Sequence, residues 1–333
     1  MWNKCSALRA AGFAAILTIS SGASAADKIT IMVGGLEKQI YLPFKLTEQL
    51  GYFKDEGLDV ELLSQPSGVD AENEMLAGAV QGVGGFYDHC IDLQAKGKFV
   101  QSIVQLDQTP GEVELVSTKH PEIKSPADFK GKSLGVTGLG SSTNFLTQYM
   151  AVKHGLKLGE FSTIPVGAGT TFIAAMQQDK IQAGMTTEPT VSRMLKTGEA
   201  KVLIDLRSPE TTKEALGGLY PAAALYMPTA WIEAHKIESQ KLANALVKTL
   251  RFIDKHSASE IADKMPADYF AGDKATYVKA LTDGKGMYTP DGVMPVGGPD
   301  TVLAVLSGFS KNLQSKKVDL SKTFTTEFVK NVK

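Results

Sequence analysis

The sequence predicts an α/β fold arranged as two lobes, and three observations predict it. Short apolar strands alternate with amphipathic helices along most of the chain, the pattern that builds a mainly parallel sheet covered by helices. The length, 333 residues, is more than one hydrophobic core usually serves. From residue 221 the character turns toward helices, which leaves the middle third as a compact α/β unit of its own.

In chain order, "KITIMVG" (28–34) alternates apolar and polar side chains and reads as the first strand. A helix follows over 43–53 with Phe44, Leu46, Leu50 and Phe53 inward, and a second strand over 59–63. "DAENEMLAGAV" is helical and leads into "GVGGF", which completes two consecutive βα units. In "SPADF" Ser125 caps a helix start, with proline first and Asp128 in the first turn. "KSLGVTG" is a strand and "SSTNFLTQYMAVKHG" an amphipathic helix. "FSTIPVG", "TTFIAAMQQDKI", "QAGMTTE", "PTVSRMLKTG" and "AKVLIDL" then alternate strand and helix. Ser239 is placed to cap the helix "QKLANALVKTLRFIDKHS" and Asp300 to cap "TVLAVLSGFSKNL", after a Gly/Pro-rich loop over 288–300.

Residues 1–25 read as a secretory signal peptide: Lys4 and Arg9 before a short apolar run, then Ala23–Ala25 as a small-residue cleavage site. The expected address is therefore the periplasm. The leader holds two of the 35 basic residues and none of the 36 acidic ones, so the remainder carries a net charge of −3. That balance offers nothing to nucleic acid or an anionic membrane. Past the leader Cys90 is the single cysteine, which excludes an intramolecular disulfide there. Only Arg193, Arg207 and Arg251 remain as arginines, so an anion would be held mostly by backbone N–H groups and hydroxyls.

Motifs of catalysis and cofactor binding are missing. "GKS" (131–133) lacks the earlier glycine and the following helix of a phosphate loop. "GLGSST" (138–143) has Thr143 where a dinucleotide fingerprint needs its third glycine. The five histidines have no metal-ligand spacing, so neither cofactor nor metal is expected. What remains is a ligand-friendly helix start. Gly138 and Gly140 permit close approach, and Ser141, Ser142 or Thr143 can cap or donate, at the strand edge where open α/β sheets bind ligands. Phe86 and Tyr87 follow another strand and can serve either as ligand walls or as core. Glu188, held extended by Pro189, can grip an N–H group or simply face solvent.

"GYFKDEGLDVEL", "SPADFKGKSLGVTGLGSSTNFL" and "IPVGAGTTFIAAMQQDKIQAGMTTEPT" resemble the periplasmic substrate-binding proteins of ABC importers for nitrate, taurine and alkanesulfonates, a group similar in turn to NMT1/THI5-like proteins. The resemblance implies the type II periplasmic-binding-protein fold, two α/β lobes joined by a two-strand hinge with the ligand cleft between them. It implies one lobe of residues 26–115 with 221–333 and another of 116–220. It sets Ser141, Ser142 and Thr143 on the ligand's acidic group, Gly85 and Phe86 in the preceding loop, and Leu36, Gln39 or Tyr41 in the loop "GGLEKQIY". Glu188 matches a family glutamate–proline pair, whereas Thr187 stands where relatives carry an aromatic residue. The implied function is a non-enzymatic, monomeric receptor that captures a small anion such as a sulfonate or nitrate and hands it to a membrane permease. Two alternatives stay open. One is an aromatic acid or pyrimidine thiamine precursor, walled by Phe86, Tyr87, His89 and Tyr41; the other is an enzyme on the same fold.

Overall fold

The computed structural model describes residues 28–333 except 271, together with Trp2; the rest of the leader read over 1–25 lies outside the described residues. Two five-stranded sheets organise the chain. The first runs β2 (Asp59–Ser64), β1 (Lys28–Val33), β3 (Gly82–Phe86), β10 (Ala223–Pro228), β4 (Val100–Gln105). The second runs β7 (Ser162–Pro165), β6 (Ser133–Val136), β8 (Ala183–Thr187), β5 (Glu112–Ser117), β9 (Ala200–Asp205). In each sheet a single strand is antiparallel to its neighbours, β10 in the first and β5 in the second. Both follow a crossover, so each enters its sheet from the opposite end. The sheets are otherwise parallel, as the alternating pattern predicts.

The crossover into the second sheet occupies 106–111, and the whole of β5 pairs with β8 and β9. The lobe boundary expected at 115/116 therefore shifts to the hinge before Glu112. The two crossovers run side by side there. Leu106 and Asp107 donate N–H to Ala223 O, Ala222 N–H returns to Asp107 O, and Gln105 Nε2 reaches Asp107 O, Ala222 O and Ala223 O at 2.9–3.2 Å.

Local chemistry explains most elements. The first helix divides into α1 (Leu42–Gln49) and α2 (Tyr52–Asp55) because Gly51 takes a left-handed φ of 77°, which a glycine adopts without strain. Phe44, Leu46 and Phe53 face inward as expected, whereas Leu50 is partly buried. Complete burial of an aromatic such as Phe44 contributes about 1.5–3 kcal/mol. Ser67 caps α3 (Gly68–Leu76), and α4 (Asp88–Ala95) starts directly off β3. The helix start expected at Ser125 is a short 3-10 turn, Pro126–Phe129, where Asp128 Oδ2 accepts the Ser125 N–H at 2.9 Å. The two later caps fall elsewhere. The long helix begins a turn early, at Lys236, so Ser239 is buried inside it; the helix Gly298–Ser307 begins after left-handed Gly297, which leaves Asp300 in its first turn. No helix among the described residues is long and apolar enough to cross a membrane.

Candidate functional site: the interlobe cleft

The parallel strands of both sheets end at the junction between the lobes. β1 leads into the loop carrying Lys38 and Gln39, β3 into Tyr87 and Asp88, β6 into Thr137–Ser141, and β8 into Glu188. The loop after β6 starts α5 (Ser142–Lys153), with Ser141 extended at its N-cap. No acceptor among the described residues takes the N–H of Ser142, Thr143 or Asn144. These amides form the positive end of the helix and suit an oxygen-rich group.

The hydroxyls beside them divide their work. Thr137, Ser141 and Thr143 bond one another at 2.8–3.0 Å, and Thr143 Oγ1 accepts Thr137 N–H at 3.0 Å. Ser141 Oγ also donates to Gly138 O at 2.7 Å. This knot shapes the loop. Ser142 instead reaches across the cleft and donates to Asp88 Oδ1 at 2.9 Å, while Tyr220 OH donates to Asp88 Oδ2 at 2.8 Å. One carboxylate of the first lobe thus holds the helix start of the second. Gly138 fits here because a Cβ would lie 2.6 Å from Ser67 Oγ in the opposite lobe.

The other expected site residues part company. Gln39 donates N–H to Glu188 O across the cleft at 3.1 Å and its Nε2 to Tyr277 O at 3.0 Å. Tyr41 is buried with its ring edge-on to Phe86, centroids 6.4 Å apart. Leu36 is partly buried against the first lobe's core, its N–H on Ser64 Oγ. Phe86 sits in that core as well, and a Cβ at Gly85 would meet the Tyr226 ring at 2.9 Å. Tyr87 turns away from the cleft. Its hydroxyl bonds Thr323 and its ring packs edge-on against Phe324 of the C-terminal segment. Glu188 is engaged inside its own lobe, where Oε1 accepts Arg207 Nη1 at 2.8 Å and Ser192 Oγ at 3.0 Å. Oε2 accepts Ser192 N–H at 3.0 Å. Arg207 is committed too, because Asp205 takes its Nε and Nη2; those bonds, ahead of the charges, hold its proton more firmly than usual.

Several buried ionisable groups stand at the junction, and of these the sequence had pointed only to His89, as a wall of an aromatic ligand. Burial pushes the Asp88 carboxyl up, and the His89 charge with the Tyr220 and Ser142 bonds pulls it partly back. His89 Nδ1 lies 2.5 Å from Glu72 Oε2. Burial works against a charged His89, but Glu72, Asp88 and Asp92 outweigh it and raise the ring to about 9. Glu112, first in β5, is raised well above the carboxylate range by burial and by Asp88, with Lys38 opposing. Asp107 in the hinge is raised by burial alone. Lys38 is lowered by burial, and its Nζ donates to Gly34 O and Pro66 O. The signal for Asp88 was its place two residues past the end of β3, beside Phe86 and Tyr87, which the sequence had already pointed to. The signal for Glu112 and Glu114 was two acids on one face of "EVELVS", an otherwise apolar strand. Among the described residues no three metal-ligating side chains gather.

Comparisons with known proteins match this architecture. The family model described as NMT1/THI5 like fits residues 41–251. A solved structure of a protein from Bordetella bronchiseptica RB50 is 38% identical with a TM-score of 0.88, over 91% of this chain and 96% of that one. The alkanesulfonate-binding protein SsuA from Xanthomonas axonopodis pv. citri, solved bound to MOPS, is 17% identical with a TM-score of 0.72, over 91% and 99%; at that identity the likeness is one of fold. The 4-amino-5-hydroxymethyl-2-methylpyrimidine phosphate synthase THI11 of Saccharomyces cerevisiae is 24% identical over 162 residues, which is 49% of this chain and 46% of that protein. The chain spans about half the length of the curated relative it matches.

Proposed function

Because the chain belongs to the NMT1/THI5-like family, we propose that it is the periplasmic solute receptor of an ABC importer. Its fold is that of the periplasmic binding proteins. In this reading two lobes close on a small ligand, and the closed monomer presents that ligand to the permease. Closure is a hinge motion at the paired crossovers, biased by tighter ligand binding in the closed state.

The observation that carries the reading is that the N–H groups of Ser142, Thr143 and Asn144 have no acceptor among the described residues, although these residues are buried where the strand ends of both lobes meet. That positive end receives an acidic or oxygen-rich group of the ligand, such as a sulfonate or a carboxylate. Arg207 takes no part, since Asp205 and Glu188 occupy it. The likeness to a pyrimidine phosphate synthase supports a second reading, an aromatic ring bearing that acidic group beside Tyr41, whose ring meets Phe86 edge-on.

Native mass spectrometry of protein purified without refolding tests the receptor reading against an enzyme. The expected result is a co-purified small acid that is recovered chemically unchanged after prolonged incubation. Its conversion to a new species overturns the receptor reading.

A further inference from the structure

The receptor reading requires the lobes to part, and what joins them differs between the two faces of the molecule. α5 and the helix Thr190–Thr197 cover opposite faces of the second sheet: Val113 and Leu115 of β5 share a buried cluster with Val191 and Met194, while Glu114 between them bonds Thr147 of α5. The first sheet is divided in the same way. Leu225 and Met227 of β10 share a cluster with Tyr277 and Leu281 of the helix Lys274–Gly284, and Tyr226 shares another with Val302 and Val305 of the helix Gly298–Ser307. Resting on that reading, we propose that the lobes open on one face only: an apolar seam keeps them joined behind α5, and Lys196 with Asp273 latches the face that parts.

The seam is core shared by both lobes. Phe145 and Leu146 of α5 belong to the same buried cluster as Val302, Val305 and Leu306. The Phe145 and Phe309 ring centroids lie 5.8 Å apart, and a Cβ at Gly308 would come within 3.0 Å of the Tyr149 ring. On the other face no buried cluster among the described residues draws side chains from both lobes. Lys196 Nζ instead donates to Asp273 Oδ2 at 2.6 Å and to Thr276 Oγ1 at 3.3 Å, and among the described residues this is the one ion pair between the lobes. Beside it a crevice of about 250 Å³ enters between the lobes, lined by Pro189, Arg193 and Thr197 on one side and by Phe270 and Tyr277 on the other. The Lys196 and Asp273 side chains are 63% and 37% exposed, so water readily takes both charges back. Parting Phe145 from Phe309 would instead strand aromatic surface in water. Gln39 N–H on Glu188 O and Ser142 Oγ on Asp88 Oδ1 are polar bonds that water can replace. The low-cost motion is therefore a turn about the seam that widens the Lys196–Asp273 edge.

Double electron–electron resonance between spin-labelled cysteines tests this without any ligand. One pair, Leu195→Cys with Lys279→Cys, spans the latched face; the other, Lys153→Cys with Lys311→Cys, spans the seam, and all four sites are exposed. In the chain without residues 1–25 the native thiol, Cys90, is fully buried and escapes the label. Raising NaCl from about 10 mM to about 1 M screens the latch, and Asp273→Asn removes its charge while leaving a cap oxygen for Thr276 N–H. The expected result of each is an open population across the latched face about two- to fivefold larger, with the seam distance unchanged. Lys196→Met should match Asp273→Asn, and the double variant should open no further than either alone. If the seam pair separates as far as the other, one-sided opening falls and the receptor reading stands. If the latched-face pair shows two distances whose proportions ignore salt and every variant, the latch falls and the receptor reading again stands. If both pairs hold a single distance under all conditions, the lobes do not part and both fall.

Discussion

Tyr41 and Tyr87 follow two neighbouring strands, and Tyr87 is turned away from the lobe junction toward the C-terminal segment. Tyr87 is held by Thr323, from a segment 236 residues further along, a partner that no local pattern could reveal. Tyr87→Phe should therefore leave ligand affinity unchanged and cost about 1 kcal/mol of stability, read by denaturant unfolding beside calorimetry. The Ser141–Thr143 cluster was legible because its placement depends only on local features, glycines at a strand end and hydroxyls opening a helix. Asp88 and Glu112 were not singled out, because an acid's surroundings are set by what another lobe brings to it. Glu188 shows the same limit. It reads as a free carboxylate until Arg207, two residues past β9 in the same lobe, is seen to claim it.

Among the elements, β5 shows most clearly how tertiary context changes side-chain chemistry. Its face carries Glu112 and Glu114, and Glu114 Oε2 accepts Thr147 Oγ1 of α5 at 2.9 Å, while Oε1 has no partner. Burial pushes the Glu114 carboxyl up to about 8, against an ordinary 4.5. Between those limits the folded chain holds a proton that the unfolded chain has released, so this group's stabilisation is complete below the ordinary value and fades as pH rises. The slope is roughly 1.4 kcal/mol per pH unit. Glu114→Gln should flatten the decline of unfolding free energy between pH 4.5 and 8, as followed by urea titrations across that window. A slope identical to the parent's would refute the assignment. Strands and helices with clear periodicity were legible. The start of Lys236–Lys255 was not, since helix onset there is decided by packing of its inner face rather than by the serine that looked like a cap.

At the scale of the molecule, the receptor reading makes closure depend on surfaces that come within van der Waals reach only when the lobes meet. Gly138 against Ser67 is the tightest of these at the α5 mouth, and Gly138→Ala should hold the lobes apart. Small-angle scattering should then show no contraction when the co-purified ligand is added back, with affinity lowered at least about tenfold. Contraction equal to the parent's would show that the cleft tolerates the methyl. Chain length, the shift in character at residue 221 and the alternating pattern together were enough to anticipate two lobes, but not which strand completes which sheet. That detail has a kinetic outcome. β10 lies between β3 and β4, so the first lobe has a gap at its centre until residues 223–228 leave the ribosome. The second lobe, an unbroken stretch from β5 to β9, has all its strands well before then. In vectorial synthesis the half encoded second is the half that can fold first, and the half encoded first must wait, unsealed, for the chain to return.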